Sequence, residues 1–339
     1  LVMSPSVVFV IYLPILRAIC EELELRQDDR LANALMLGQL FSSAISCGMT
    51  PIAHVFPIMA IGFYQNATGT SVSYIHYMAF AVPVGLLCFA AMRPDLSCVS
   101  RLDFDALKRS VTPADRREKA TLIIFFLVVA MWVLPEFIEP ILPAVASFLD
   151  TQGTAFPPLV GAVALCLLSV GGAPLMNFKE AMQKGVEWGS VIMAGATLAL
   201  GSAMTNAEIG LTDWLSGAIA PTLNGLPVWL LILVFTVWAA VMTNVASNMV
   251  TVTVVCAVAI PLCMASGGAV STPAIAMIIG MLASYAFVTP PAHPNVPLAI
   301  GSGWTKTGQV ILYGTILMVI SIVVTVAVGY PIASALMGA

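Results

Sequence analysis

An all-α polytopic membrane protein, an inverted repeat with re-entrant hairpins and broken helices, is the fold class this sequence predicts, and three observations predict it. The chain is 60% hydrophobic and 9% charged, with a mean hydropathy of +0.99, far from the balance of a soluble domain. Uncharged stretches at 31–92, 151–178, 188–207, 214–305 and 307–339 each accommodate one or more spans of about 20 residues. A thirteen-residue motif occurs twice, at 50–62 and at 289–301. The alternating apolar/polar pattern of a barrel strand is absent, so helices are the spanning element.

In chain order, the opening "LVMSPSVVFVIYLPIL" gives an apolar helix to about Ile19, expected to end at Leu13-Pro14-Ile15, followed by the charged turn "CEELELRQDDR". Leu31 to Met92 is uncharged throughout and must cross more than once. The segment "RPDLSCVSRLDFDALKRSVTPADRREK" is the hydrophilic link between two membrane modules. Beyond it lie apolar runs at 120–135, 156–170, 188–205, 228–262 (interrupted by "TNVASN"), 274–303 and 309–336. The domain reading is therefore residues 1–93 as the C-terminal part of a first repeat, 94–119 as the linker, and 120–339 as the second repeat. The second module has well over 100 residues before its polar tip, and the first would need upstream spans on the order of 100 residues before Ser4 to match it.

Basic residues set the orientation, because Lys and Arg near span ends favour the cytoplasm. If the spans alternate as described, all 13 fall on one side. The opposite loops, such as "QNATGTS" and "NAEIGLTDW", hold none. This predicts a protein of the cell inner (plasma) membrane, with the linker 94–119 cytoplasmic and the C-terminus outside. The 7 cysteines have no paired metal or redox spacing and read as small core residues.

The twin motifs are "TPIAHVFPIMAIG" and "TPPAHPNVPLAIG", identical at seven of thirteen positions at a constant offset of 239. Chance would give about one match. In the topology above one copy runs outward and the other inward, which makes the repeat inverted. Such repeats in secondary transporters place substrate and ion sites on discontinuous helices near the midplane. Taken singly, either copy is also explained by a proline kink buried between helices. Proline lacks an N–H and clashes with the preceding turn, so each "TP" frees carbonyls that lipid cannot satisfy. With Thr hydroxyls these carbonyls suit a cation, whereas half-helix N-termini suit an anion. Thr50, Pro51 and His54 of the first loop, and Thr289, Pro290, His293 and Asn295 of the second, are the candidates.

A second polar group interrupts the run 228–262 at Thr243, Asn244, Ser247 and Asn248. Arms of about 14 residues are too short to cross fully, so a re-entrant hairpin is expected. In the first module "MSPS" occupies the corresponding place, with Ser4 and Ser6 as its polar atoms. Small polar residues that glue helices together are the alternative reading of both tips.

A polar hairpin tip, a helix bearing "LPI", then a proline-broken helix, all repeated in inverted orientation, resembles the divalent-anion/sodium symporter family of the ion transporter superfamily. Ser247-Asn248-Met249 resembles the Ser-Asn-Thr of the family's second tip, and Ser4-Pro5-Ser6 that of the first. "TPPAHPN" and "TPIAH" resemble its two loops, with His293 and His54 where Asn is expected, and "WGSVIMAGATLALGSAMTNAEIGLTDWL" resembles the segment before the second hairpin. The resemblance implies a permease for a small anion, dicarboxylate-like or otherwise organic or inorganic, working as a homodimer by an elevator motion. It implies substrate contacts at Ser4, Ser6, Thr50, His54, Thr243, Ser247, Asn248, Thr289, His293 and Asn295. Cation contacts are implied at Ser4, Thr50, Pro51, Asn248, Thr289 and Pro290, with Na+ or H+ as coupling ion and no other cofactor or metal. The paired histidines either bind substrate or carry a proton, since imidazole titrates near neutral pH. A sodium/proton antiporter or arsenite exporter of the same superfamily is the alternative. An intramembrane serine protease, from Ser302 with His293, is a remote one that leaves the repeat unexplained. No catalytic residue and no nucleic-acid partner is expected.

Overall fold

The computed structural model describes residues 5–22, 24–26, 29–92, 115–138, 141–152, 156–185 and 227–338, with a few single positions between 188 and 214. The chain forms two compact units, Leu1–Leu102 with Met193–Ala339, and Asp103–Ile192. Helices dominate both, as the composition requires. Ser4, most of the linker 94–119 and most of the expected span 188–205 lie outside the described residues.

The first unit opens with α1 (Pro5–Glu22), α2 (Arg30–Gly48), α3 (Val55–Thr68) and α4 (Tyr74–Met92). It resumes with α9 (Val228–Val245), α10 (Asn248–Ala265), α11 (Thr272–Ala283), α12 (Asn295–Gly301) and α13 (Thr307–Val324). A π-turn at Thr325–Gly329 carries α13 into α14 (Tyr330–Met337). Among the described residues five helical stretches are long and apolar enough to cross a membrane, the last of them Thr307–Met337. The intervening helices α5 to α8 belong to the second unit.

Two pairs of half-helices form the centre of the first unit. The first broken helix is α2 and α3, separated by 49–54; the second is α11 and α12, separated by 284–294. Every residue of α11 is buried. It packs on α3, α10, α9, α14 and α2, while α12 packs on α2, α1 and α13. Each broken helix thus lays its halves against the opposite halves of its twin. This pairing, α3 with α11 and α2 with α12, is what a two-fold relation between inverted copies produces. Backbones meet closely at Gly280, where an added Cβ would lie 2.7 Å from Ala60 Cβ and 3.1 Å from Pro57 Cα. Only a small residue permits that approach.

Three expectations need correction. α1 continues through Pro14 to Glu22 instead of ending at Leu13-Pro14-Ile15, because one proline deletes a single helical bond and the turns beyond it close normally. The hairpin arms α9 and α10 are 18 residues each, not about 14. Thr243 and Asn244 stay helical because the Asn244 amide bonds back to the Ala240 carbonyl at 2.8 Å, which continues the helix through a polar pair. The stretch between 138 and 156, expected as a loop, contains the helix Pro143–Gln152.

The second unit consists of α5 (Arg116–Ile138), α6 (Pro143–Gln152), α7 (Phe156–Leu167), a two-stranded turn of β1 (Ser169–Val170) and β2 (Ala173–Pro174), and α8 (Phe178–Glu180), which runs into a π-turn at Ala181–Gly185. Its small hairpin was not expected from the sequence. Gly171 and Gly172 turn the chain with φ of 72° and 85°, a region that glycine enters freely. The Arg117 guanidinium then donates to the carbonyls of Val170 (3.0 Å) and Pro174 (2.6 Å). The end of the linker and the polar turn after α7 therefore share one end of this unit, as the alternating topology requires.

Candidate functional site

Broken helices leave carbonyls and N–H groups that something must satisfy, and the two breaks solve this differently. In the first, the Tyr77 hydroxyl of α4 donates to the Gly48 carbonyl at 2.7 Å. Gly48 is required there, since an added Cβ would meet the Tyr285 ring at 2.6 Å. Ala53 N donates to Thr50 Oγ1 at 3.3 Å, closing the loop on itself.

The second break is held by the tip of the α9–α10 hairpin. Asn244 Oδ1 accepts from Phe287 N and Val288 N, both at 2.9 Å, and its Nδ2 donates to the Tyr285 carbonyl at 2.9 Å. Thr289 Oγ1 closes the same ring by donating to the Asn244 carbonyl. Thr243 Oγ1 donates to the Ala283 carbonyl at 2.9 Å. In the amide orientation that satisfies both its ends, Asn248 donates to the carbonyls of Ala292 (3.1 Å) and Thr243 (3.2 Å) and to Thr243 Oγ1 (2.9 Å). Asn244 was visible in the sequence as part of the polar interruption but was not among the expected site residues. Its partners lie 41 to 45 positions away, and no local spacing reveals them.

Of the expected residues, Thr243 and Asn248 meet at the hairpin tip, and His54 and His293 meet across the breaks. His54 and His293, at equivalent positions of the two motifs, face each other edge to face with ring centroids 6.2 Å apart. Asn295 reaches from the second break to the start of α1, where its Nδ2 donates to the Pro5 carbonyl at 3.1 Å. The first tip therefore touches the second broken helix, as the second tip does. Ser6 is half-buried one residue beyond Pro5, and Ser4 lies outside the described residues. Thr50, Pro51 and Asn248 are buried, Thr289 and Pro290 half-buried, and Ser247 exposed at the hairpin tip.

Electrostatically the site is built without formal charge. No Asp, Glu, Lys or Arg occurs in 31–92 or 214–305. Partial charges take their place. His54 is the N-cap of α3 and Ser247 the N-cap of α10, and neither side chain makes a capping bond. The first-turn N–H groups of both helices are thus left to a ligand, with the positive end of each helix dipole behind them. His54 Nδ1 is also buried without a partner, as is Asn295 Oδ1. His293 Nδ1 accepts from Asn295 N at 3.2 Å, which places the proton of a neutral imidazole on Nε2, as a donor. Two uncapped helix starts and a fixed N–H donor, converging where two broken helices meet, suit a small anion. Among the described residues no group of three His, Cys, Asp or Glu is placed to hold a metal ion.

Comparison with known proteins agrees with this geometry. Residues 2–338 match the sodium:sulfate symporter transmembrane region. The chain belongs to the sodium:sulfate symporter family. This is the divalent-anion/sodium group that the motifs resemble, and it identifies the molecule as a polytopic helical membrane transporter. Among relatives of this chain, a sodium-dependent dicarboxylate transporter of Staphylococcus saprophyticus is 23% identical over 354 residues, covering 96% of this chain and 65% of its own. A sodium-dependent high-affinity dicarboxylate transporter of Caenorhabditis elegans is 26% identical over 332 residues, covering 88% of this chain and 56% of its own. Human solute carrier family 13 member 1 is 30% identical over 142 residues, 42% of this chain and 23% of its own. The chain therefore spans between about half and two thirds of the length of the two dicarboxylate transporters.

Proposed function

We propose that this chain is the substrate-carrying part of a sodium-coupled symporter for a small divalent anion of the dicarboxylate or sulfate class. The observation that carries the reading is the meeting of the two breaks at His54 and His293, beside the uncapped starts of α3 and α10. The anion sits against these helix starts, with Ser247 and the His293 Nε2–H as side-chain donors, while Asn248 and Thr289, whose donor hydrogens are engaged within the tip and the break, hold that frame in place. Ser4, Ser6, Thr50, Thr243 and Asn295 complete or support that shell. Oxygens at Thr50, Pro51, Thr289 and Pro290, with the side-chain oxygens of Ser4 and Asn248, are the cation ligands, since hard oxygen donors suit Na+. Sodium is the coupling ion of choice, because two relatives are named as sodium-dependent and the donors present are oxygens.

Sodium bound at the breaks neutralises the approaching anion and fixes the tips around it. The loaded unit then moves as one body in an elevator step, within a homodimer of the full-length protein. Both tips are tied to the second break by hydrogen bonds, so they travel with it. The experiment is uptake of labelled succinate and sulfate into proteoliposomes of the full-length protein with an inward sodium gradient. Accumulation that collapses when sodium is replaced by choline is the expected result. Sodium-independent exchange, or proton-driven arsenite or sodium efflux, sinks this reading.

A further inference from the structure

A groove of about 570 Å³ opens on the first unit away from the breaks, between α2, α13 and the end of α4. Its volume is in the range of pockets that hold small molecules, about 300–1,000 Å³. Polarity changes along it. One end carries the exposed Arg30 with Gln309 and Tyr313; the far part is walled by Leu37, Phe41, Ile316 and Ile320. Asn33 fixes the polar end by accepting from Thr305 Oγ1 at 2.6 Å, so the mouth is rigid. Arg30 to Ser42, the extent of α2 in the wall, covers about 18 Å of helix, close to the roughly 15 Å thickness of one leaflet's hydrocarbon.

The repeat explains why the groove is open. In the second copy, α14 packs onto α11 and α4 and covers the equivalent surface. The offset of 239 maps Tyr330–Met337 onto residues 91–98, "AMRPDLSC", a more polar sequence, of which 93–98 lie outside the described residues. Among the described residues one copy has its own cover, and the other presents an apolar slot headed by Arg30.

We propose that the groove binds one anionic phospholipid, its phosphate on Arg30 and one acyl chain lying along α2 and α13. The charge gradient decides the class of occupant: an apolar slot with an arginine at one end and no acid in its wall matches an amphiphile with an anionic head. Gly38 marks the path of the chain. Its side of α2 is open, with no atom within 4 Å of an added Cβ.

The test uses the full-length protein in nanodiscs of equal phosphatidylglycerol and phosphatidylcholine, with retained lipid counted by native mass spectrometry. Wild type retains one phosphatidylglycerol in preference to phosphatidylcholine. Arg30→Gln, at an exposed position that leaves the fold intact, lowers this preference about fivefold, the discrimination one arginine near a membrane surface provides; Arg30→Lys preserves it. Gly38→Phe fills the slot and abolishes retention of either lipid, with its melting temperature reported beside that of Gly38→Ala to verify folding. Equal retention of both lipids by wild type overturns the proposal, as does undiminished retention by folded Gly38→Phe.

Discussion

Asn244 shows how one buried amide replaces a missing turn of helix. It supplies an acceptor to two N–H groups and a donor to one carbonyl of the second break, three groups that an unbroken helix would have paired internally. Asn244→Ala orphans all three, and each buried polar group left unpaired costs about 1–3 kcal/mol. The expected outcome is a marked fall in melting temperature together with loss of transport; a variant as stable as wild type means the break does not depend on this residue. His293 makes a different contribution. With Nδ1 held by Asn295 N, the proposed function makes it a neutral donor and not a proton carrier. His293→Gln, which keeps an N–H donor, should transport with the wild-type pH profile between about 5 and 8, while His293→Ala should weaken substrate binding. A pH profile flattened by His293→Gln would instead assign the proton to this imidazole.

At the scale of elements, α3 and α11 approach closely in the centre of the first unit, and Gly280 permits that approach. Gly280→Leu has no room, because backbone atoms of Pro57 and Phe56 lie 3.1 and 3.2 Å from where its Cβ would be. Overpacking of this kind costs about 1–3 kcal/mol, and a thermal scan should show a lowered melting temperature; Gly301→Leu, at a glycine with open space around it, serves as the neutral comparison. The broken helices were legible in the sequence because prolines and histidines mark them at a constant offset. The hairpin was legible from its polar tip, although its arms proved longer, since Asn244 continues α9 by bonding to Ala240. The clamp that Asn244 and Tyr77 place on distant carbonyls was not legible, because its partners are non-local. Nor was the small turn at 169–174, which depends on two glycines and on Arg117 arriving from the end of the linker.

For the whole molecule, the one-sided distribution of 13 basic residues predicts an orientation that labelling checks directly. In a cysteine-free full-length background, a probe at Asn66 should react with an impermeant reagent from outside, and a probe at Ser110 should not; the reverse pattern inverts the topology. On the proposed function, transport at this scale rests on the tips and breaks enclosing one anion and its sodium ions. A hydrogen bond to a charged group contributes about 1.5–3 kcal/mol, roughly tenfold to a hundredfold in affinity. The most direct measurement is sodium-driven uptake of labelled succinate and sulfate by proteoliposomes carrying wild type, Asn248→Ala or Thr289→Ala, each checked for folded insertion. The account predicts accumulation by wild type, and a substrate or sodium constant raised about tenfold or more in both variants. Wild-type constants in both folded variants would contradict it and move the site away from the hairpin and the break.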